Sequence, residues 1–144
     1  MIQIYLYFLA LIYYMVDPIN IGILIARLIT GILFIVHGYS KVTNLKSTAN
    51  FVESIGFRPG AFWGVLLTIA EFGGGLLLTV GLLTKYAAAA LIPVMAVAVW
   101  YNKVKMKKPF KHGYELDLIL IAILILFIII GAGTISIDTL YQAI

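Results

Sequence analysis

Three stretches of the chain are apolar over a length that can cross a membrane. They cover residues 19–40, 60–83 and 115–133, and each is near or above the roughly 20 residues that a helix needs to span the hydrocarbon core. A shorter apolar stretch, residues 86–102, still extends over roughly 25 Å, and the lysines that flank it can reach towards the headgroups. The pattern therefore predicts four membrane-spanning helices.

The composition agrees with a membrane location. Hydrophobic residues make up 63% of the 144 positions and charged residues 11%, and the mean hydropathy is +1.10. In soluble globular domains about 25% of the residues are charged. Because no change of composition marks a second domain, we predict an all-α integral membrane protein with one domain over residues 1–144, an antiparallel four-helix bundle.

Basic residues are concentrated in two of the predicted connections. Residues 41–59 contain three of them and residues 103–113 contain five lysines, whereas the connection between the second and third spans has only Lys85. Because positively charged loops stay inside, we predict a multi-pass protein of the cell membrane with these two loops cytoplasmic and both termini external. Contact of the lysines with anionic lipid headgroups of the bilayer is favoured over nucleic-acid binding, since no soluble domain accompanies them.

The N-terminal segment, residues 1–17, is apolar up to Val16 and rich in tyrosine. It lacks the basic start and the small-residue cleavage site of a signal peptide, so we expect it to be retained. Asp17 and Pro18 separate it from the first span, because proline disfavours helix at the residue before it and suits a helix start. The preferred prediction is an extra apolar helix that is interfacial or tilted, and the alternative is a fifth span.

Two ionisable residues, Arg27 and Glu71, lie inside the first two apolar stretches at similar distances from the predicted inner ends. An unpaired charge near the bilayer centre costs from about 3 to more than 10 kcal/mol, so an ion pair between the two is the least costly arrangement. The pair would either fix only the register of the bundle or form a polar site for a proton or a quinone headgroup. Glycines on these helices would allow close packing. The predicted packing positions are Gly31, Gly38, Gly74 and Gly75.

A second polar group is predicted at the inner ends of the helices. Its members are His37, Tyr39, Lys41, Glu115 and Asp117. The two carboxylates open the fourth span, where capping and the helix dipole favour negative charge, and this structural role is the preferred interpretation. His37 is interpreted as a structural histidine with a hydrogen-bond partner, and proton exchange near neutral pH is the alternative.

Four motifs in order carry a resemblance to a known family. They are RLITGILFIVHGYSK at residues 27–41, EFGGGLLLTVGLLTK at residues 71–85, Glu115, and GAG at residues 131–133 followed by SID at residues 136–138. Together they resemble the DoxX family of small integral membrane proteins over about residues 22–140, and the apolar N-terminal segment lies outside the match.

The resemblance implies a small four-helix membrane protein. Among the relatives, the DoxD-type subunit belongs to a thiosulfate:quinone oxidoreductase of sulfur-metabolising archaea, and other DoxX-like proteins are membrane partners of oxidoreductase systems. By resemblance we expect a multi-pass subunit of a quinone-linked oxidoreductase assembly of the respiratory chain. Nothing in the chain resembles DoxA, the soluble partner of the DoxD-type subunit. The high isoleucine and lysine usage without cysteine suits a thermophilic archaeon.

The residues that are absent restrict the chemistry. The chain has no cysteine, which excludes a disulfide, a thiol nucleophile, an iron–sulfur cluster and a covalently attached haem. His37 and His112 are its two histidines, and because no spacing typical of metal ligands occurs, no metal site is predicted. No cofactor is expected to be bound covalently, and a quinone is the cofactor that the predicted polar site would suit. Sulfur chemistry would need a partner protein.

Two hypotheses for the function remain open. In the first, Arg27 and Glu71 border a polar cleft that binds a quinone and relays a proton, while a partner redox subunit supplies the electrons. His37 and Tyr39 would lie nearer the inner face. In the second, the chain is a non-catalytic structural or assembly subunit of a larger respiratory or transport complex. A cleft that reaches Glu71 favours the first, and a dry, glycine-packed interface favours the second. Both hypotheses are compatible with a homo-oligomer or a hetero-oligomer. A third class of protein, a transporter, has less support from the sequence.

Overall fold

The computed structural model describes residues 3–5 and 17–142. Residues 3–5 are helical, six helices follow from Pro18 onwards, and the described part of the chain contains no strand. The helices are α1 (Pro18–Thr43), α2 (Leu45–Ser54), α3 (Gly60–Val80), α4 (Thr84–Lys105), α5 (Glu115–Ile130) and α6 (Ile137–Gln142). The prediction for the N-terminal segment falls mostly on residues outside the described ones and stays a prediction.

Four apolar helices are long enough to cross a membrane, as predicted. They are α1, α3, α4, and α5 together with the turn Phe110–Tyr114 that precedes it. Helix α2 lies in the connection between α1 and α3, shorter segments join α3 to α4 and α4 to α5, and successive spans run antiparallel. We call the end formed by residues 41–60 and 101–115 the lysine-rich end, and the end formed by residues 81–84 and 131–142 the opposite end.

Helix α1 begins where the sequence places a break. The Asp17 carboxylate accepts a hydrogen bond from the backbone N–H of Ile19 at 3.3 Å, and Pro18 occupies the first helical position. A proline suits this position because its missing N–H has no partner within the helix there. The helix then continues to Thr43, beyond the predicted end of the span at Ser40, so Lys41 still lies on helix α1.

Glycines let helix α1 and helix α3 approach each other closely. A Cβ atom on Gly31 would lie 2.9 Å from the Gly75 carbonyl oxygen, and one on Gly75 would lie 2.9 Å from the Phe34 Cβ. Gly38 faces the backbone of Phe72, and a Cβ on Gly38 would lie 2.7 Å from the Phe72 Cα. These three predicted packing positions therefore lie at the α1–α3 contact.

The fourth predicted packing glycine lies on a different face. A Cβ on Gly74 would meet Leu91 of helix α4 at 3.2 Å, so this residue packs α3 against α4. The main apolar core continues from there between α4 and α5. Its most deeply buried members are Phe34, Leu78, Ala88, Leu91, Leu124 and Phe127.

Two spans contain a π-helical turn. The turn in α3 covers Ile69–Gly73 and includes Glu71, and the turn in α4 covers Tyr101–Lys105 and includes Asn102. A π-helical turn adds a residue to a helix and occurs frequently at functional sites. Both turns direct a polar residue towards the space between α3 and α4 near the lysine-rich end, because Glu71 and Asn102 line the same cavity there.

Helix α2 is a feature that the sequence analysis did not predict. Residues 41–59 were expected to be a loop, but Leu45–Ser54 form a helix that packs against the first half of α3. Thr48 and Val52 are buried in this contact, and the glycines of α3 make it close, since a Cβ on Gly64 would lie 3.0 Å from the Ala49 Cα. Helix α2 therefore covers one side of the bundle at the lysine-rich end.

Candidate functional site

The predicted ion pair between Arg27 and Glu71 is wrong. Both side chains are buried, but Arg27 bonds to residues at the opposite end and Glu71 pairs with Lys41 near the lysine-rich end. The reason is the register of the two helices, since Gly38 of α1 lies against the backbone of Phe72 and Glu71 is therefore level with the end of α1. Arg27 lies 11 residues before Gly38, which is roughly 16 Å further towards the opposite end, and its side chain also tilts that way because side chains tilt towards the helix N-terminus.

Arg27 belongs to a cluster that closes the opposite end. Its two terminal nitrogens donate hydrogen bonds to the carbonyl oxygens of Ala132 at 2.6 Å and Ile135 at 2.8 Å. Gly81 leaves space for the guanidinium, because a Cβ there would lie 2.6 Å from the Arg27 Cζ and the residue has a φ of +71°.

Asp138 fastens the same segment to the start of helix α4. Its carboxylate accepts hydrogen bonds from the backbone N–H groups of Leu83 at 2.6 Å and Thr84 at 2.9 Å. A carboxylate is favourable there because the first turn of a helix has unpaired N–H groups and a positive dipole end. The residues of this end thus hold the chain together, and Arg27 is a structural residue of the fold.

The Lys41–Glu71 ion pair is the polar centre at the other end of the bundle. The Lys41 ammonium donates a hydrogen bond to the Glu71 Oε2. The Glu71 side chain is 6% exposed, whereas that of Lys41 is 24% exposed. A carboxylate this deeply buried within an apolar helix needs a charged partner, which the end of α1 supplies.

A large cavity lies beside this ion pair, between helices α2, α3 and α4. Its volume is about 620 Å³. Lys41, Glu71, Tyr101 and Asn102 are the main polar residues of its wall. The other residues that line it are apolar or aromatic: Phe51, Val52, Ile55, Phe57, Trp63, Leu66, Leu67, Ala70, Ala90, Pro93, Val94, Val97 and Ala98.

The cavity extends from the ion pair to the lipid-facing side of the bundle. Leu66 belongs to its wall and is 46% exposed, and Ala90 on helix α4 is exposed as well. On the side of the lysine-rich end it is bordered by an edge-to-face contact between Phe51 and Tyr101, whose ring centroids are 5.2 Å apart. The arrangement is a cleft of the kind that would favour the quinone hypothesis, since it reaches Glu71.

A second, smaller cavity lies on the other side of the same ion pair. It has a volume of about 200 Å³, and its polar wall consists of His37, Lys41, Glu71 and Asp117. Asp117 accepts a hydrogen bond from the Asn102 side-chain amide at 2.9 Å, and the Asn102 oxygen accepts one from Lys108 at 3.0 Å. Asn102 therefore connects the walls of the two cavities.

The structure separates the residues predicted for the inner polar cluster. His37 is exposed and lines the small cavity, whereas Tyr39 is exposed and lines neither cavity. Glu115 accepts a hydrogen bond from the backbone N–H of His112 at 3.1 Å, in the turn before α5. Lys41 and Asp117 face the cavities, so the candidate site combines them with Glu71.

Several residues of the site have no signal in the sequence that would identify them. Asn102 is a single amide next to the lysine cluster, and Phe51 and Trp63 are aromatic residues among many. Their roles depend on helix α2 and on the π-helical turns. In the described residues, no group of three or more His, Asp or Glu side chains comes together that could hold a metal ion.

These features define a small multi-pass membrane protein with an amphipathic cavity between its helices. The chain belongs to the DoxX family, whose model matches residues 22–103. It is 33% identical to "Putative oxidoreductase CatD" of Bacillus subtilis over 119 residues, which cover 83% of this chain and 86% of that protein.

Two further relatives come from other bacteria. "Inner membrane protein YqjF" of Escherichia coli is 41% identical over 69 residues, which cover 48% of this chain and 52% of that protein. An uncharacterized protein of Haemophilus influenzae is 32% identical over 122 residues, which cover 78% of this chain and 84% of that protein. No solved structure matches the chain.

Proposed function

We propose that this protein is a quinone-interacting membrane subunit of an oxidoreductase assembly, and that the large cavity binds the quinone. The observation that carries the proposal is the Lys41–Glu71 ion pair in the wall of an otherwise apolar cavity of about 620 Å³. Ligand sites typically have volumes of about 300 to 1,000 Å³ and apolar walls with a few polar groups. A quinone has a matching distribution of polar and apolar groups, since it joins an apolar tail to a ring with two carbonyl oxygens.

The residues of the cavity suit the chemistry of a quinone. Reduction of a quinone to a quinol consumes two electrons and two protons. The Lys41 ammonium is a donor for a carbonyl oxygen, where negative charge develops as electrons arrive, and Glu71 is a carboxylate that can pass on a proton. The chain has no cysteine, so the electrons come from a partner redox protein in this proposal.

The relatives and the charge distribution support this assignment. The name of the Bacillus subtilis relative includes the word oxidoreductase, and the Escherichia coli relative is named as an inner membrane protein. By the positive-inside rule, the lysine-rich end is cytoplasmic and both termini are external. A source in a thermophilic archaeon stays a prediction from composition.

Binding of a short-chain quinone tests the proposal directly. Purified protein in lipid nanodiscs is titrated with ubiquinone-1, and quenching of tryptophan fluorescence reports occupancy because Trp63 lines the cavity. Lys41→Met removes the donor, and we expect the Kd to rise about tenfold, which corresponds to about 1.4 kcal/mol. Lys46→Met is the matched control, because Lys46 is exposed on helix α2 and lines neither cavity.

The proposed role in oxidoreduction has to be tested in the native assembly. Protein purified gently from its own membranes is examined for stoichiometric partner chains and for quinone reduction with thiosulfate as the electron donor. We expect Glu71→Gln to abolish reduction while Glu53→Gln, which changes an exposed carboxylate of α2, leaves it intact. A larger complex whose turnover is indifferent to Glu71→Gln would instead indicate a structural or assembly subunit.

A further inference from the structure

The Lys41–Glu71 ion pair lies between two cavities that differ in size and polarity. Both of these residues, together with Ala98, line the large cavity of about 620 Å³ and the small cavity of about 200 Å³. The large cavity extends towards the lipid, whereas the small cavity is lined by α1, α3, α4 and α5 near the lysine-rich end. Glu71 is thus accessible from two sides that have different surroundings.

Titratable groups are concentrated on the side of the small cavity. From α1 these groups are His37 and Lys41, from α3 the group is Glu71, and from α5 it is Asp117. Helix α4 contributes Met95 and Ala98, neither of which titrates. A space of this volume with several polar groups can hold a short chain of water molecules, since water needs two to four polar partners.

Asp117 is the carboxylate of this cavity that lies nearest to the aqueous end. It follows the turn Phe110–Tyr114 at the start of helix α5 and is half-buried. Through Asn102 its hydrogen bonds continue to the exposed Lys108 of the lysine-rich end. One helical turn further along α5, Leu120 lines the same cavity and is only 6% exposed.

A quinone that is reduced inside the bilayer cannot obtain protons from the surrounding hydrocarbon. Each proton has to move from water to the reacting oxygen through groups that can accept and release it. The wall of the large cavity offers few such groups apart from the ion pair, because most of its residues are apolar. The small cavity connects the same ion pair with groups near the aqueous end.

We propose that the small cavity is the proton route to Glu71 and that Asp117 is its entry group. This inference rests on the proposed quinone site. Each proton passes from water at the lysine-rich end to the Asp117 carboxylate, then through water to Glu71, and then to an oxygen of the reduced quinone. Two such transfers, with two electrons from the partner redox protein, complete the quinol, and both carboxylates return to their starting states.

Water access to the small cavity is tested with single cysteines, because the chain has none of its own. Leu120→Cys places a thiol in the small cavity, and Leu124→Cys places one a turn deeper on the same helix, where the residue is 0% exposed and lines neither cavity. In nanodiscs, a small water-soluble methanethiosulfonate reagent should label Leu120→Cys at least about tenfold faster. Equal rates would overturn the route, and this result does not depend on quinone binding.

The role of Asp117 is tested on ubiquinone-1 bound in nanodiscs and reduced at an electrode, with a pH-indicator dye that reports proton uptake. Asp117→Asn keeps an oxygen that can accept from Asn102 but cannot carry a proton. We expect proton uptake to slow about tenfold or more with an unchanged Kd for ubiquinone-1, and Asp117→Glu to restore the rate. Glu115→Gln is the matched control, because Glu115 lies outside both cavities.

The outcomes separate the two proposals. Tight binding of ubiquinone-1 with unchanged proton uptake in Asp117→Asn overturns the proton route and leaves the quinone site intact. Binding that is indifferent to Lys41→Met overturns the quinone site, and the proton route falls with it. Slower proton uptake in both Asp117→Asn and Glu115→Gln would indicate a general effect of the charge at the start of α5 and would also overturn the route.

Discussion

At the scale of single residues, the buried charges of Arg27 and Glu71 find their partners at different ends of the bundle. Arg27 is bound by two backbone carbonyls of the segment after α5, and Glu71 is bound by Lys41. The separation has a functional consequence, because the charge that holds the fold together is not the charge that faces the cavities. A substitution at Arg27 should therefore act on stability, and one at Glu71 should act on the proposed chemistry.

Replacement of Arg27 by methionine is expected to destabilise the folded protein by about 2 to 4 kcal/mol. The change leaves the carbonyl oxygens of Ala132 and Ile135 without their donors and removes two charge-assisted hydrogen bonds. Unfolding by a denaturing detergent, followed by circular dichroism, measures the loss. Arg58→Met is the control, because the Arg58 side chain is 82% exposed and should leave stability unchanged.

The folded fraction of Arg27→Met should bind ubiquinone-1 with the affinity of the unchanged protein, since the large cavity does not include Arg27. A loss of binding without a loss of stability would show that Arg27 belongs to the site, as the first of the two hypotheses from the sequence requires.

At the scale of helices, the bundle is organised by close glycine contacts and by local departures from α-helical geometry. Gly31, Gly38 and Gly75 bring α1 against α3, so that Lys41 at the end of α1 can reach Glu71. The π-helical turn Ile69–Gly73 contains Glu71 and gives it a position in the walls of both cavities. Helix geometry thus positions the ion pair, and helix α2 encloses the space beside it.

Replacement of Gly31 by alanine is expected to destabilise the protein by about 1 to 3 kcal/mol. The added Cβ would lie 2.9 Å from the Gly75 carbonyl and even closer to Thr79, so the two helices would have to separate. Gly22→Ala is the matched control on the same helix, because a Cβ there has no atom within 4 Å. It should be neutral or stabilising, since alanine favours helix over glycine.

The same unfolding experiment compares the two glycine variants. If Gly31→Ala were as stable as Gly22→Ala, the close contact between α1 and α3 would not exist in the membrane. Ubiquinone-1 binding should weaken in Gly31→Ala, because separation of these helices moves Lys41 away from Glu71.

At the scale of the whole molecule, the two ends of the bundle have different tasks. The opposite end is closed by the segment from Gly131 to Asp138, which is attached to α1 and to the start of α4. The lysine-rich end contains the ion pair and both cavities. With the lysine-rich end cytoplasmic, the proposed proton route would open to the cytoplasm, and the contacts of Arg27 and Asp138 would face outwards.

Single cysteines test this orientation in spheroplasts with a membrane-impermeant maleimide. Tyr141→Cys lies on helix α6, where Tyr141 is 72% exposed, and Ser47→Cys lies on the exposed side of helix α2. We expect Tyr141→Cys to react in intact spheroplasts and Ser47→Cys to react only after the membrane is permeabilised. The reverse pattern would contradict the orientation that the lysines predict.

The sequence alone determined the class of the protein, the four spans of the described residues and the glycines that form close helix contacts. These properties follow from local composition, because an apolar stretch of sufficient length has to satisfy its backbone hydrogen bonds as a helix in lipid. The distribution of lysines likewise predicts which end of the bundle is cytoplasmic. The sequence also identified Arg27 and Glu71 as residues that need partners, since an isolated charge in an apolar stretch is costly.

Only the tertiary structure decided which partners they have. Counting residues from the predicted ends of two spans assumes that these ends are level, but α1 and α3 pack with Gly38 against Phe72, which places Arg27 and Glu71 near different ends of the bundle. The cavities depend on the π-helical turns and on how α2 packs against α3. These are contacts between distant parts of the chain, and no local pattern of hydrophobic and polar residues specifies them.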